Sequence, residues 1–313
     1  MTALKRSVLI RYPKDIPPDL RGGVATVGNF DGVHLGHEHL VRALTAHGHG
    51  GPATVVTFYP HPVKVLTGSS EPRAISTIRE KSERFGGLGV SLLYLVHFTR
   101  AISQMTAQQF IEEILVKRLA IKGLVVGEDV AIGRKREGTL SYLKSELPKY
   151  NINLHVVPQL QIAGVRPGSR TIRGLLEQGE MERAQVLLGE PFTISARVGH
   201  GDKRGAQLGF PTANVALHRR LTPKRGVYAC RVDVDGVEYR AVANVGVRPT
   251  FNGDSERLEV HLLDYSGESL YARRLKVKFL SFLRDEKKFD SLDQLKTQIK
   301  SDVKAARALL GHE

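Results

Sequence analysis

The sequence predicts two domains: an α/β domain on a parallel sheet, then a small antiparallel β-barrel with a C-terminal helix. Three observations predict this. The chain has 313 residues, and single hydrophobic cores stop growing near ~250–300 residues, so two domains are the natural division. Up to about residue 150, short β-rich apolar runs alternate with helical stretches, the pattern of βαβ units. After Glu190 the strands are short, regularly spaced and separated by Gly and Asp turns, as in a small barrel. The expected domains are residues 1–187 and 188–313.

In order, "GVATVGNF" reads as a strand, "LGHEHLVRALTAHG" as a helix and "ATVVTFYP" as the next strand. The helical "TIREKSERFGGLG", the strand "VSLLYLVHF", the helix "TAQQFIEEILVKRLAI" and the strand "GLVVGED" follow, with one more strand at 153–157. Such a sheet is covered by helices on both faces, and its ligands bind beyond the carboxyl ends of the strands. "TIRGLLEQGEMERAQVLLG" reads as a helical pair closing the first domain. The barrel strands are "FTISARVGHG", "GVYACRVDVDG", "EYRAVANVG", "RLEVHLLDY" and "RRLKVKFLSFL". "SLDQLKTQIKSDVKAARALL" opens with a Ser cap and repeats its apolar residues at helical spacing, so it packs as an amphipathic helix on the barrel.

Composition excludes several classes. Hydrophobic residues make up 41%, enough for ordinary cores, which sets aside a disordered or fibrous chain. One cysteine, Cys230 in "GVYAC", permits no internal disulfide and fits a buried small hydrophobe in a reducing cytoplasm. No apolar run approaches the ~20 residues of a membrane span. The net charge of +14 invites a polyanionic partner. The excess is diffuse: 24 basic residues stand against 16 acidic up to residue 185, and 22 against 16 beyond it. That spread suits small phosphate-bearing substrates at least as well as nucleic acid, and neither zinc-finger spacing nor Trp supports the latter.

The stretch "GNFDGVHLGH", Gly28 to His37, joins the strand "VATV" to the helix starting near Gly36. Gly28 and Gly32 let the backbone approach a ligand closely. Amides at the helix start favour an anion in the turn. His34 and His37 then stand where a phosphate binds, able to donate hydrogen bonds as charge builds during phosphoryl or nucleotidyl transfer. Two other roles fit the spacing: capping of the helix, or zinc ligation with His39. The zinc role lacks Cys and HExxH partners, and the three rings cannot all point one way on a helix.

In the second half, "GFPTAN" (Gly209 to Asn214) marks a tight turn and offers oxygens at Thr212 and Asn214. In extended chain these share one face. That suits Mg²⁺, which takes few protein ligands besides phosphate and water; a hydrogen-bonded turn is the plainer role. The preceding "GHGDKRGAQLG" is glycine-rich and basic, suited to enclosing phosphates. Glu259 shares a strand face with His261, a pattern that also describes ordinary solvated surface.

Phe30, Asp31, His34, Gly36 and His37 match the F-D-x-x-H-x-G-H signature of the nucleotidyltransferase superfamily. The longer "VGNFDGVHLGH" resembles one family in particular, the bifunctional bacterial riboflavin kinase/FMN adenylyltransferases (FAD synthetases). The resemblance continues in order through "TFYPHP", "VVGED", "REG", "GDKRGAQLGFPTANV", "GVYA", "ANVGVRPTF", "LEVHLLDY" and "FLRDEKKFDSLDQLKTQI".

For the first half the resemblance implies a Rossmann-like nucleotidyltransferase domain. It would bind ATP, with Mg²⁺ on its phosphates, and FMN, and join AMP to FMN with release of pyrophosphate. His34 and His37 would steady the developing charge, and Asp31 would organise the loop or the metal. Gly28, Asn29, Phe30 and Gly36 would form the binding turn. Arg173 and Ser169 would meet the leaving phosphates, and Asp129 with Phe58 and His61 would lie near FMN. The chain departs from the family pattern at five places. Gly168 and Arg170 replace hydroxyl residues of S-S-T-x-x-R, Tyr59 replaces an acidic residue, and Val130 and Ile132 replace the aromatics of D-F-x-F-G. A hydrogen bond to a charged phosphate is worth roughly 1.5–3 kcal/mol, so losing two implies a reaction slower by about two to three powers of ten.

For the second half the resemblance implies riboflavin kinase. Glu259 would take the proton of riboflavin's 5′-hydroxyl as that oxygen attacks the γ-phosphorus of ATP. Thr212 and Asn214 would hold Mg²⁺, Gly199, Gly201, Lys203 and Gly205 would line the ATP loop, and Arg284 would lie by the flavin. The expected partners are the small molecules ATP, riboflavin and FMN. Two rivals stand beside this reading: a riboflavin kinase with a slow or retired first site, and a basic nucleic-acid-binding protein on the same scaffold.

Overall fold

The computed structural model describes residues 7–48, 51–200, 209–217, 220–250 and 253–311. Backbone contacts divide the chain into two compact units, Met1–Ser169 and Arg170–Glu313.

The first unit is a six-stranded, wholly parallel sheet. Its strands are β1 (Val8–Arg11), β2 (Val24–Val27), β3 (Ala53–Tyr59), β4 (Leu92–His97), β5 (Gly123–Gly127) and β8 (Asn153–Val157), in the order β1-β4-β3-β2-β5-β8. Successive side chains of a strand point to opposite faces, and here both faces are covered. Val55, Leu93 and Val125 join Val41, Leu44 and Phe85 in one core. Their chain neighbours Val56, Leu92, Tyr94, Leu124 and Val126 join Ile111, Ile114, Leu115 and Leu119 in the other. This is why the strands read as unbroken apolar runs.

Helix α1 (Leu35–Ala46) follows β2, the short α2 (Pro62–Thr67) follows β3, and α3 (Ile78–Gly87) precedes β4. Thr77 and Glu80 close a reciprocal capping box at the start of α3. A short α4 (Arg100–Ser103) precedes the stretch read as one helix, which is α5 (Ala107–Phe110) continuing through Ile111–Arg118 in the wider π form. A small hairpin, β6 (Ala131–Ile132) with β7 (Gly138–Thr139), and helix α6 (Leu140–Glu146) complete the unit.

The second unit is a closed antiparallel barrel of six strands: β9 (Phe192–Gly199), β10 (Ala213–Val215), β11 (Gly226–Val234), β12 (Val237–Thr250), β13 (Gly253–Leu262) and β14 (Arg274–Arg284), in the order β10-β13-β12-β11-β14-β9. The sequence revealed five of these. The sixth, β10, spans three residues that overlap the end of the stretch read as a turn, too short for any periodicity to register. The C-terminal helix α9 (Leu292–Leu310) opens with Ser291 accepting from the Gln294 amide at 3.2 Å. It lays Ala306 and Leu310 on Ala229, Val242, Leu280 and Leu283. Cys230 is fully buried, and burial pushes its thiol well above the usual range.

The helical pair α7 (Ser169–Gln178) and α8 (Met181–Leu188) was expected to close the first domain. Its contacts place it with the barrel instead: α8 packs on β9 and β14, and the Lys224 amide donates to the Leu176 carbonyl. Among the described residues no helix is long and apolar enough to cross a membrane.

Two candidate active sites

The strand order of the first sheet reverses direction between β2 and β5, and ligands of open α/β sheets bind at such a point. A cavity of about 210 Å³ opens there, lined by the strand ends Val27, Gly28, Gly127 and Val157 and by Phe30, His37, Asp129 and Arg166. The turn after β2 is tightly braced. Asp31, 2% exposed, accepts from the Ile75 and Ser76 amides with its carboxylate, and Ser76 Oγ accepts from the Gly32 amide at 3.0 Å. Ser169 Oγ donates to the Asp31 carbonyl at 2.9 Å. Phe30 and Val33 both adopt left-handed backbone, φ 49° and 42°. For a β-branched residue that conformation is a genuine outlier, and such strain gathers at functional turns.

His34 is the N-cap of α1, its Nδ1 accepting from the His37 amide at 3.3 Å. Accepting at Nδ1 leaves Nε2–H as the donor of the neutral ring. Gly36 makes room for this, since a Cβ there would lie 3.2 Å from that same nitrogen. The two rings stack with centroids 3.6 Å apart. Phe30 meets His37 edge-on at 5.1 Å, and its own ring would press on any side chain at Gly28. Burial first, then the charge of Arg84, lowers the His34 pKa to about 4. Burial, then His34, then Lys81 holds His37 well below its usual range. Both rings are therefore neutral at pH 7, and the Nδ1 of His37 is buried with no hydrogen-bond partner among the described residues. His34 caps the helix, and His37, stacked on it, lines the cavity. His39 also lines the cavity, but no cluster of three metal-ligating side chains forms among the described residues.

Other expected residues fall at varied distances from this cavity. Asp129 lines it and pairs with Arg166. Val130 lines it too, whereas Ile132 is core, 7% exposed. Phe58 packs on Phe98 and Phe110, against the core that holds Ile111 and Ile114, rather than lining the cavity. His61 caps α2, accepting from the Val63 amide, and Tyr59 is exposed. Asn29 gives its carbonyl to Thr57 and Lys81. Gly168 borders open space; Arg170 and Arg173 stand on α7, within the second unit.

In the barrel a cavity of about 370 Å³ is lined by Gly199, His200, Thr212, Asn214, Tyr265 and Tyr271, among others. Thr212 and Asn214 thus face one space, as the extended spacing requires. Asn214 pairs across the ladder with Glu259 on β13 and with Gly199 on β9. Arg257 joins them, 3.4 Å from the Glu259 carboxylate and donating to Asn214 Oδ1 at 3.5 Å. His261 fixes the turn, its Nδ1 2.8 Å from the Pro211 carbonyl. Arg284 is held by Asp302 of α9 through two hydrogen bonds, 2.9 and 2.7 Å. Gly201, Lys203 and Gly205 lie outside the described residues.

Sequence reasoning missed Lys81, Arg84, Arg166 and Arg257. Lys81 carried a signal: it occupies an inward position of the α3 stripe, between Ile78 and Phe85, where an apolar residue is expected. Arg257 carried one as well, standing two residues before Glu259 on the same strand face, whereas Arg84 and Arg166 carried none, because their places depend on chain brought in from elsewhere.

A switch-point cavity with a neutral histidine pair, followed in one chain by a barrel whose cavity is lined by Thr212 and Asn214, is the arrangement of a two-domain enzyme of phosphate chemistry. The FAD synthetase family profile matches residues 16–171, and the riboflavin kinase profile matches residues 188–310. A bifunctional riboflavin kinase/FMN adenylyltransferase of Pseudomonas fluorescens is 41% identical, over 96% of this chain and 97% of its own. Its namesake in Escherichia coli strain K12 is 40% identical over 93% of each. A crystal structure titled as a macrolide-efflux protein from Streptococcus pneumoniae is 32% identical, with a TM-score of 0.84 over 96% of this chain and 98% of that one. The chain belongs to the bifunctional riboflavin kinase/FMN adenylyltransferase family.

Proposed function

We propose that the chain phosphorylates riboflavin to FMN in its barrel and adenylylates FMN to FAD in its α/β unit, using ATP for both. The observation that carries this reading is the presence of both family segments in one chain, each with its own cavity. The two activities follow the matched segments, with residues 1–187 and 188–313 as the proposed sequence domains, while the α7–α8 pair between the segments packs in the barrel unit.

In the first step riboflavin's 5′-oxygen attacks the γ-phosphorus of ATP, ADP leaves, and Glu259 takes the hydroxyl proton. Arg257 orients that carboxylate. Thr212 and Asn214 supply neutral hard oxygens facing the cavity, a donor set that fits Mg²⁺ completed by substrate phosphates. When bound, the cation neutralises charge on those phosphates. Gly199, Gly201, Lys203 and Gly205 enclose ATP, and Arg284 serves the flavin side through the arm that Asp302 holds.

In the second step an oxygen of FMN's phosphate attacks the α-phosphorus of ATP and pyrophosphate leaves. Such chemistry needs positioning and charge stabilisation more than a protein nucleophile. His34 and His37 donate to the phosphate oxygens, neutral in the free site and well placed for charge that develops later. Asp31 organises the loop rather than a metal, because its carboxylate is taken up by backbone amides. Ser169 acts through the same loop, and Arg173 meets the leaving pyrophosphate. Asp129, Phe58 and His61 serve the flavin side.

Riboflavin, ATP and Mg²⁺ supplied together are expected to give both FMN and FAD on chromatographic separation. FMN without FAD would retire the first site; neither product would sink the reading.

A further inference from the structure

Among the described residues Lys81 is the only buried lysine, 5% exposed. α3 carries it beneath the Gly28–His37 turn, where its Nζ donates to the Asn29 carbonyl at 2.7 Å. Thr57 Oγ1 donates to the same oxygen at 3.1 Å. The segment that leads into α3 holds the turn at two further points, the Asp31 carboxylate and the Gly32 amide. Lys81 is thus part of a brace between two segments some fifty residues apart in sequence. The phosphate transfer described above does not use it.

Its presence is unexpected on stability grounds. Burying an ammonium is costly even when paired, and an apolar side chain of similar volume is often as stable or more so. A hydrophobic residue at this inward position would pack α3 without that cost. What only a cation adds is a donor aimed at the Asn29 carbonyl and a positive charge under a turn built to receive phosphates, a charge that burial disfavours and the nearby Asp31 carboxylate supports. Its field already reaches His37, where it opposes protonation.

We propose that Lys81 is a positioning residue of the adenylyl-transfer site, pinning the Asn29 carbonyl beneath the turn that carries His34 and His37 and lending that turn a fixed positive charge. The inference rests on the adenylyl-transfer reading of this site. A charge placed before the reaction costs no reorganisation as negative charge develops on the α-phosphate, so its effect falls on turnover rather than on ATP capture.

The test compares the full-length wild type with Lys81→Met and Lys81→Arg. With FMN, ATP and Mg²⁺, the Met variant is expected to lose about 100-fold in kcat for FAD, with KM for ATP moving less than about threefold. The Arg variant keeps the charge and is expected to recover at least about a tenth of wild-type turnover. The acid limb of the kcat/KM profile should move to higher pH in the Met variant, because losing a neighbouring positive charge lets His37 take a proton more readily. Riboflavin phosphorylation in the barrel stays unchanged and reports an intact fold. Amide exchange in residues 29–34 should quicken about tenfold in the Met variant, whatever the chain makes. Unchanged exchange, or FAD formation within about threefold of wild type, overturns the proposal. A wild type that makes no FAD from FMN counts against the adenylyl-transfer reading instead, and the exchange measurement then decides the role of Lys81.

Discussion

At the scale of single residues, the histidine pair joins stability to chemistry. The His34 pKa lies near 4 in the folded chain, against an ordinary 6.5. The unfolded chain therefore binds more protons between those values. Stability is full above pH 6.5 and is lost as pH falls toward 4, at up to about 1.4 kcal/mol per pH unit for this one group. Urea unfolding of His34→Gln should show a shallower decline over that window; an identical slope would mean the ring is not buried as described. The same replacement at His37 should lower FAD formation by about two to three powers of ten while leaving FMN formation alone. Cys230 is the opposite case, a side chain that neither reaction uses. Buried and un-ionised, it should resist thiol reagents until the barrel unfolds.

At the scale of elements, the first site is a helix start held by another helix's start. The N-terminal end of α1 presents the histidines, and the segment entering α3 grips the turn through Asp31. Asp31→Ala leaves those amides unsatisfied and should destabilise the first unit by about 2 kcal/mol, with FAD formation falling alongside. A denaturation midpoint that does not move would place the brace elsewhere. In the barrel the working unit is a ladder rung: β10 sets Asn214 opposite Glu259, and a slip of one residue would turn both away together. Three residues of strand thus align Asn214, a proposed metal ligand, with Glu259, the proposed base.

At the scale of the whole molecule, each compact unit carries a cavity of its own, and the proposed activities fall one to each. Free FMN is the product of one and the substrate of the other. Glu259→Gln alone should make FAD from FMN but not from riboflavin, and His37→Gln alone should stop at FMN. A mixture of the two variants should convert riboflavin to FAD. Failure of the mixture, with each variant keeping its half, would show that FMN does not leave the chain that makes it.

Some of this was legible in the one-dimensional pattern. The alternation of apolar runs with helical stretches, then the change to short strands after Glu190, dictated a parallel sheet followed by a barrel, because burial on two faces and on one face leave different periodicities. The turn at Gly28–His37 was legible because its glycines and histidines are neighbours in the chain. The three-residue strand β10 was not, since barrel closure rather than local preference makes it extended. Nor did the sequence tell that Asp31 would spend its carboxylate on backbone amides 44 residues away, or that Arg284 would be claimed by Asp302. The sequence by itself determined most of the elements and where the glycine–histidine turn lies, for these depend on local spacing. Tertiary structure alone decided the neutrality of the histidines, the brace from Lys81 and the Asn214–Glu259 pairing, because burial and charge fields arise from segments that meet only in the folded chain.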